Sequence, residues 1–160
     1  MFELEGKRAL VCGGTSGIGK ATVEVLKKSG ATVVSLARTA KGKNAITCDL
    51  EDLDMLTTLV NKEIDENGNF EILINNSGGP PSGPLIDATS NDFDKAFRRH
   101  VLASQTLVQI LLPGMISSSY GRIINIISTS VKEPIPGLGV SNTIRGAMAS
   151  WSKTLSKELP

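Results

Sequence analysis

Short apolar runs rich in β-branched residues recur along the chain and alternate with longer stretches of helical spacing. Each run is continuously apolar rather than alternately apolar and polar, which is typical of strands in a parallel sheet covered on both faces. The pattern predicts five strands, over Arg8–Cys12, Thr32–Leu36, Ala45–Cys48, Ile72–Asn75 and Arg122–Ile127.

The segments between and after these strands repeat their apolar residues at the spacing of one helix face. Gly30 is well placed to end the first helix at its C′ position. Pro113 is expected to interrupt the third helix, since proline lacks a backbone N–H. The predicted helices cover Ile18–Ser29, Leu53–Glu66, Phe93–Met115 and Ser141–Leu159.

The resulting order β-α-β-β-α-β-α-β-α indicates a single α/β domain over residues 1–160, with a Rossmann-like, doubly wound parallel sheet. Ligands of such sheets bind in the crevice at the carboxyl ends of the strands. The Pro/Gly-rich loops Gly78–Pro84 and Pro134–Gly139 follow the fourth and fifth strands. We therefore expect both loops to border the binding site.

The composition is that of an ordinary globular domain, with 40% hydrophobic and 21% charged residues. Seventeen Lys+Arg against sixteen Asp+Glu give a net charge of +1, which favours a small-molecule partner over nucleic acid or a membrane surface. The N-terminus has no apolar signal core, and no apolar stretch is expected to reach the length of a membrane span, so a soluble cytoplasmic protein is predicted. Cys12 and Cys48 lack Cys-x-x-Cys spacing, which favours buried free thiols over a metal site or a disulfide.

A glycine-rich turn joins the first strand to the first helix. The helix N-terminus there offers unpaired N–H groups and a positive dipole end, which together favour an anion. Gly13 suits the tight turn, Gly17 a close approach to a diphosphate, and Gly19 close helix–strand packing. Glycines also mark ordinary turns, but the position at the first βα turn favours a dinucleotide. The predicted diphosphate cradle is Gly13, Thr15, Ser16, Gly17, Ile18 and Gly19.

The end of the second strand bears on which dinucleotide is bound. An acidic residue at this point would grip the ribose 2′-OH of NAD, whereas Ser35–Thr39 contains no acid and one arginine, Arg38. A guanidinium can pair bidentately with the 2′-phosphate of NADP. The alternative is that Arg38 is a solvated loop residue. The sequence therefore favours NADP(H) over NAD(H).

Four motifs in this order resemble the short-chain dehydrogenase/reductase family, and the resemblance runs through essentially the whole chain. The turn Gly13–Gly19 resembles the family's TGxxxGIG, with Cys12 in place of its threonine, and Asp49-Leu50 matches the aspartate that contacts the adenine amino group. Asn75–Gly78 resembles the family's NNAG, and Gly121–Ile126 resembles the entry to its catalytic serine. Besides the glycine turn, the resemblance implies that the cofactor is bound by Asp49, Leu50, Asn76, Ser77, Gly78 and Arg145.

The family implies hydride transfer between a nicotinamide and an alcohol, a carbonyl or an activated double bond. Of its Asn, Ser, Tyr and Lys catalytic set, only the serine carries over, as Ser128 at the end of strand five. The tyrosine position holds Ser141, the lysine position Arg145, and the asparagine position His100. A serine hydroxyl is far less acidic than a phenol, and an arginine is not a proton relay. The sole tyrosine, Tyr120, precedes strand five and lies at the wrong end for the ligand site.

Two functions remain open. The first is an NADP(H)-dependent oxidoreductase with a noncanonical proton donor, in which Ser128 and Ser141 hydrogen-bond the substrate and His100 or a water chain supplies protons, since a histidine pKa lies near neutrality. The second is an NADP(H)-binding sensor or partner subunit without turnover. The alternatives are a structural role for His100, a strand-end cap for Ser128 and a surface salt bridge for Arg145. Ser141 and Arg145, four residues apart, share one helical face.

The family continues beyond the point that corresponds to Pro160, so the resemblance implies a C-terminally truncated chain that lacks at least one strand. Strand five is then expected to be an exposed, apolar sheet edge. The resemblance also implies a homodimer or homotetramer formed through the third and closing helices. Their apolar residues, including Val101, Leu107, Trp151 and Leu155, are equally suited to a core.

Overall fold

The computed structural model describes residues 3–159. Its strands are β1 (Arg8–Cys12), β2 (Thr32–Ala37), β3 (Ala45–Thr47), β4 (Ile72–Asn75) and β5 (Arg122–Asn125). Its α-helices are α1 (Gly17–Lys28), α2 (Leu53–Asn67), α3 (Ser90–Phe97), α4 (Ala103–Ser117) and α5 (Gly139–Glu158). Short 3₁₀ turns cover Leu85–Asp87 and Thr129–Val131, and a π-helical segment, Arg98–Leu102, joins α3 to α4. The five predicted strands and the predicted α/β order are confirmed.

The strands form one parallel sheet in the order β3-β2-β1-β4-β5. β1 lies at its centre, and Ala9, Leu10 and Val11 are 0% exposed. One buried cluster lies on each face: Leu10 belongs to the cluster that α2 and α4 cover, and Val11 to the one that contains Val23 of α1. The sheet is therefore doubly wound, and the continuously apolar strand sequences are explained by cover on both faces.

Capping residues mark the ends of three helices. Asp52 caps α2 by accepting a hydrogen bond from the Met55 N–H at 3.0 Å. Thr89 and Asp92 form a reciprocal capping box at the start of α3. Gly30, at φ 95°, follows the C-cap of α1, which confirms its predicted position.

The third predicted helix differs from the structure in where its irregularity lies. Pro113 lies inside α4, which continues to Ser117, so the predicted interruption near Pro113 is wrong. A proline removes one backbone hydrogen bond, and here the helix is held by the core packing of Leu107 and Leu111. The departure from α-helical geometry is instead the π segment Arg98–Leu102.

The continuous helical stretch Ser90–Ser117 is 28 residues long and is apolar enough to cross a membrane by length and composition. The expectation that no apolar stretch reaches this length is therefore wrong. However, Ala103, Leu107 and Leu111 are at most 2% exposed and pack in the core beneath the sheet. A core helix meets the same length criterion, so this finding is weak evidence for a membrane span.

Two element boundaries near the predicted catalytic residues also differ. β5 ends at Asn125, two residues before the predicted end, although the Ile126 N–H still donates to the Asn75 carbonyl at 2.9 Å. Ser128 therefore lies three residues beyond the strand, as the N-cap of the 3₁₀ turn. α5 begins at Gly139, so Ser141 lies in its first turn.

β5 forms one edge of the sheet, as expected, and Ile124 is 49% exposed there. Beside it runs a groove of about 590 Å³ between the end of α4 and the last turns of α5. The residues proposed for subunit contacts are mostly internal: Val101 and Leu107 are buried, while Trp151 and Leu155 are partly buried against the same core. Within the described chain, these four residues serve the core.

Candidate functional site

The glycine turn between β1 and α1 is packed so closely at Gly13 and Gly19 that side chains would not fit there. Gly13 adopts φ +62°, and a Cβ on it would lie 2.7 Å from Asn76 Nδ2. A Cβ on Gly19 would lie 2.1 Å from the Gly13 carbonyl oxygen. Asn76 Nδ2 donates to the Cys12 carbonyl at 3.2 Å and so ties the turn to the end of β4. The turn is thus a rigid backbone cradle at the carboxyl end of the sheet.

The first N–H groups of α1 are left available to a ligand in this cradle. Ser16 is the N-cap of α1, and its side chain makes no capping hydrogen bond. The N-terminal N–H groups of a helix have no intrahelical partners and carry the positive end of the helix dipole. The turn therefore has the chemistry of a diphosphate site.

A groove of about 240 Å³ extends from this turn across the ends of β2, β3 and β4. Nine of the predicted cofactor-binding residues line it together, although they come from four separate segments. These are Gly13, Thr15, Ser16, Arg38, Asp49, Leu50, Asn76, Ser77 and Gly78.

The remaining residues predicted to bind the cofactor lie outside the groove lining. Gly17, Ile18 and Gly19 form the first turn of α1, where Ile18 is 63% exposed and Gly19 is buried against Gly13. Gly19 thus contributes close packing, as its position predicts, rather than contact surface. Arg145 lies farther along the same edge of the sheet, at a separate small cavity.

Arg38 lines the groove with a side chain that is exposed and only loosely paired. Its side chain is 72% exposed, and Nη1 lies 4.0 Å from Asp49 Oδ2, at the limit of an ion pair. An exposed pair of this length contributes little to stability. The guanidinium can therefore turn to a bound anion at small cost. Nearby, the hydroxyls of Thr15 and Thr39 lie 3.2 Å apart.

His100 lies in the π segment and is buried, with 4% of its surface exposed. Its Nδ1 lies 2.7 Å from Ser77 Oγ, whereas its Nε2 is buried without a hydrogen-bond partner among the described residues. Burial, together with the positive charges of Arg145 and Arg99, lowers the pKa of His100 to about 4. The imidazole is therefore neutral at physiological pH. The expectation of a histidine pKa near neutrality is wrong, because desolvation and two cations both oppose protonation.

Arg145 and His100 both line a cavity of about 10 Å³, the size of one water molecule, at the ends of β4 and β5. Arg145 Nη1 donates to the Ile126 carbonyl at 2.9 Å, and burial lowers the pKa of its guanidinium. This hydrogen bond anchors α5 beyond the end of β5. Arg145 is therefore part of the site edge and not a surface salt bridge.

Ser128 and Ser141 are half-buried near this edge. Ser128 Oγ accepts a hydrogen bond from the Ser130 N–H at 3.1 Å, so the capping role anticipated as its alternative is present. Within residues 3–159, no hydrogen bond joins Ser128, Ser141 and Arg145 to one another. The structure thus brings them to one end of the sheet without assembling them into a relay.

Two further features of the site escaped the sequence analysis. Arg99 lines both the groove and the small cavity, and it forms an ion pair with Glu51. Asn75 Nδ2 donates to Asn125 Oδ1 at 2.8 Å and links the ends of β4 and β5. The run Arg98-Arg99-His100 within an apolar helix is the signal that could have drawn attention to Arg99.

The remaining reactive side chains are accounted for elsewhere. Cys12 and Cys48 are buried free thiols, as predicted, and burial raises their pKa values to about 12 and about 11. Neither is therefore a thiolate at neutral pH. Tyr120 lies between the cations of Lys7 and Arg122, at 4.2 and 4.5 Å from its ring centre, near the amino end of β5. Tyr120 is absent from the residues that line the 240 Å³ groove beside the glycine turn.

The state of His100 leads to a testable pH dependence. Between pH 6.5 and about 4 the unfolded chain binds a proton at its histidine and the folded chain does not. The free energy of unfolding should therefore fall as the pH falls through this window, by up to about 3 kcal/mol from this group. His100 is the single histidine of the chain, so its ring resonance in an NMR titration reports the pKa directly.

The matched control is His100→Asn, which removes the titrating group. The free energy of unfolding of the parent protein minus that of this variant should be independent of pH above pH 6.5. Below pH 6.5 this difference should fall, because only the parent loses stability through His100. A ring resonance that titrates near pH 6.5 in the folded protein would contradict the buried, neutral state.

Comparison with known proteins agrees with this geometry. The family model for short chain dehydrogenases matches residues 7–160. The chain therefore belongs to the short-chain dehydrogenase/reductase family, and its Rossmann-like fold is the fold of solved members. An L-sorbose reductase from Gluconobacter frateurii, solved with NADPH and L-sorbose, superposes with a TM-score of 0.92 at 25% identity, covering 99% of this chain and 66% of that one.

Two other relatives are similar over nearly the whole chain. A metagenomic short-chain oxidoreductase in complex with NADP has a TM-score of 0.90 at 27% identity, covering 98% of this chain and 76% of its own. A ketoacyl reductase from Nostoc sp. is 28% identical over 173 residues, which cover 99% of this chain and 60% of that protein. The chain spans between 51% and 70% of the length of curated relatives that it matches.

Proposed function

We propose that this protein is an NADP(H)-dependent oxidoreductase that interconverts a carbonyl and an alcohol, or reduces an activated double bond. The observation that carries the proposal is the continuous groove that joins the glycine cradle to Arg38. Family membership supports the oxidoreductase class. Two of the similar structures were solved with NADPH or NADP, which supports the choice of cofactor.

The residues present fit a phosphorylated dinucleotide. Gly13 and Gly19 allow the turn to pack against Asn76 and against its own backbone, where a Cβ would clash, and the uncapped start of α1 supplies N–H donors to a diphosphate. Arg38 is exposed and only loosely paired, so it can turn to a 2′-phosphate. Asp49 and Asn76 supply polar groups along the same groove. NADPH would supply the hydride, and the chain would hold the diphosphate and the 2′-phosphate of the cofactor.

The proton for the reaction has no ordinary donor here. His100 is neutral and deeply buried, so it acts as a hydrogen-bond partner of Ser77 rather than as a general acid. Arg145 keeps a positive charge at the small cavity beside the ends of β4 and β5. Ser128 and Ser141 are the hydroxyls available to orient a substrate oxygen, and bulk or bound water is the proton source.

The second candidate is a protein that binds NADP(H) without turnover, as a sensor or partner subunit. The observation that favours it is the position of Tyr120 near the far end of β5, since no phenol reaches the site. Ser141 and Arg145 replace the tyrosine and lysine of the family. A protein that only binds NADP(H) would keep the diphosphate cradle and would not need a proton donor.

An assay of NADPH oxidation with a panel of ketones, aldehydes and enones separates the two candidates. For the oxidoreductase, turnover with at least one compound should fall at least tenfold in Ser128→Ala, with the Kd for NADPH unchanged, because one hydrogen bond to the reacting oxygen is lost. Thr129→Ala, at the exposed neighbouring residue, is the matched control and should retain turnover.

The outcomes are distinct. Binding of NADPH without oxidation across the panel would favour the sensor or partner subunit. Turnover that is equal in Ser128→Ala and Thr129→Ala would remove Ser128 from the reaction. If the parent protein failed to bind NADPH, both candidates would be excluded.

A further inference from the structure

The groove is bordered by two arginines that are held in different ways. Arg38, at the end of β2, is 72% exposed, and its closest approach to a carboxylate is 4.0 Å. Arg99, from the π segment, has a side chain that is 26% exposed and is in close contact with Glu51, which is 24% exposed. Arg38 is thus exposed and only loosely paired, whereas Arg99 is less exposed and closely paired.

Both the backbone and the guanidinium of Arg99 are held in place. Its backbone belongs to the π segment, where π-helical geometry often marks functional sites. Its guanidinium is held by Glu51, and the Glu51 N–H donates in turn to Asp49 Oδ1 at 3.0 Å. The segment from Asp49 to Glu51 therefore presents one acid to each arginine, with Leu50 between them.

The state of a guanidinium determines what it can recognise. An uncompensated, movable arginine suits a phosphate, which it can pair bidentately. An arginine whose charge is already met by a carboxylate gains little from a second anion. Its flat face, however, is weakly hydrated and stacks well on aromatic rings. By this argument Arg38 suits the phosphate, and Arg99 suits a heterocycle.

The chemistry of the dinucleotide places a heterocycle at this point. The ribose that carries the 2′-phosphate of NADP also carries the adenine base, so a phosphate on Arg38 brings the base to the neighbouring part of the groove. Leu50, Gly78 and Arg99 line the same groove as Arg38. Gly78 has no side chain to obstruct a planar ring, and a Cβ on it would meet nothing within 4 Å.

We propose that Arg99, held by Glu51, is a binding residue whose guanidinium forms the flat wall on which the adenine base of the cofactor stacks. This inference rests on the proposed NADP(H) binding and assigns a binding residue to it. Glu51 acts through Arg99 by holding the guanidinium plane in place. In this arrangement Arg38 contacts the 2′-phosphate of the cofactor, and Arg99 contacts its adenine base.

The experiment compares Arg99→Met with Arg98→Met by titration with NADPH, NADH and reduced nicotinamide mononucleotide. Arg98 is the adjacent, exposed residue of the same π segment, so its variant has the same change of charge and of helix propensity. Arg99→Met should weaken NADPH and NADH binding by the same factor, about tenfold, because both contain adenine. It should leave the mononucleotide, which lacks adenine, unaffected, and Arg98→Met should bind all three as the parent protein does.

Two further variants distinguish stacking from charge and from loss of folding. Arg99→Lys keeps the charge but lacks the flat face, so it should show most of the loss; binding equal to the parent would overturn the stacking role. Glu51→Gln frees the guanidinium and should weaken dinucleotide binding less than Arg99→Met does. NADPH and NADH should again be affected by the same factor. Glu51→Gln tests the proposal even if Arg99→Met does not fold, which thermal unfolding would reveal.

Failure of the inference and failure of the proposed function differ in this experiment. A parent protein that binds no NADPH would exclude the proposed function and the inference with it. NADPH binding that is equal in Arg99→Met and Arg98→Met would overturn the inference alone. A loss in Arg99→Met that is confined to NADPH, with NADH spared, would also overturn it, because Arg99 would then recognise the phosphate.

Discussion

Replacing Gly19 with alanine is expected to abolish NADPH binding and to destabilise the fold by roughly 3 kcal/mol or more. The new Cβ would lie 2.1 Å from the carbonyl oxygen of Gly13 and 2.8 Å from Asn76 Nδ2. Both neighbours belong to the cradle itself: one is backbone, and the other is hydrogen-bonded to Cys12. Relief of the clash therefore requires the turn to move away from the shape that holds a diphosphate.

The matched control is Gly146→Ala. Gly146 is also a helical glycine, in α5, but a Cβ there would meet nothing within 4 Å. Because alanine favours a helix over glycine, this variant should be as stable as the parent or more stable by up to about 1 kcal/mol. Chemical denaturation and NADPH titration of both variants provide the measurement. A Gly19→Ala protein with parental affinity for NADPH would mean that the cradle is not the diphosphate site.

Reversal of the charge at Arg38 is expected to have the next largest effect. Arg38→Glu should raise the Kd for NADPH by about 100-fold and leave the Kd for NADH within about threefold of the parent value. The side chain would change from a partner of the 2′-phosphate to a source of repulsion, while the 2′-hydroxyl of NADH can still donate to a carboxylate. The ratio of the two affinities, rather than either alone, is the measurement.

Lys153→Glu is a suitable control for this charge reversal. Lys153 is exposed on α5 and lies outside the residues that line the groove. Its variant has the same change in net charge, so it accounts for the weak long-range effect of charge on an anionic ligand. If the NADPH to NADH ratio fell equally in the two variants, Arg38 would be a solvated loop residue without a role in the choice of cofactor.

The fold was largely predictable from the sequence because its strands are covered on both faces. The short run Ile72–Ile74 contains β-branched residues and lies between Gly68 and Gly78, a context that favours a strand over a helix. The cofactor groove was predictable for a related reason, since short motifs at the strand ends are brought together by the parallel topology itself. Nine of the residues predicted to bind the cofactor, from four segments of the chain, line one groove in the structure.

The features that escaped prediction depend on tertiary context. Pro113 was expected to interrupt its helix, but core packing of Leu107 and Leu111 holds α4 through it. The pKa of His100 was expected near neutrality, yet burial beside two arginines lowers it to about 4. The Arg99–Glu51 pair joins residues 48 positions apart. Neither periodicity nor motif spacing contains information on any of these contacts.

The π segment Arg98–Leu102 also changes which residues share a face along the helical stretch Ser90–Ser117. Each residue of an α-helix turns the chain by about 100°, and a π turn accommodates one extra residue within the helix. The two parts of Ser90–Ser117 are therefore out of phase, and a helical wheel drawn through the whole stretch would misplace Ala96 relative to Leu107. A helical wheel for this stretch should therefore be drawn in two parts, Ser90–Phe97 and Ala103–Ser117, with the faces of each part assigned separately.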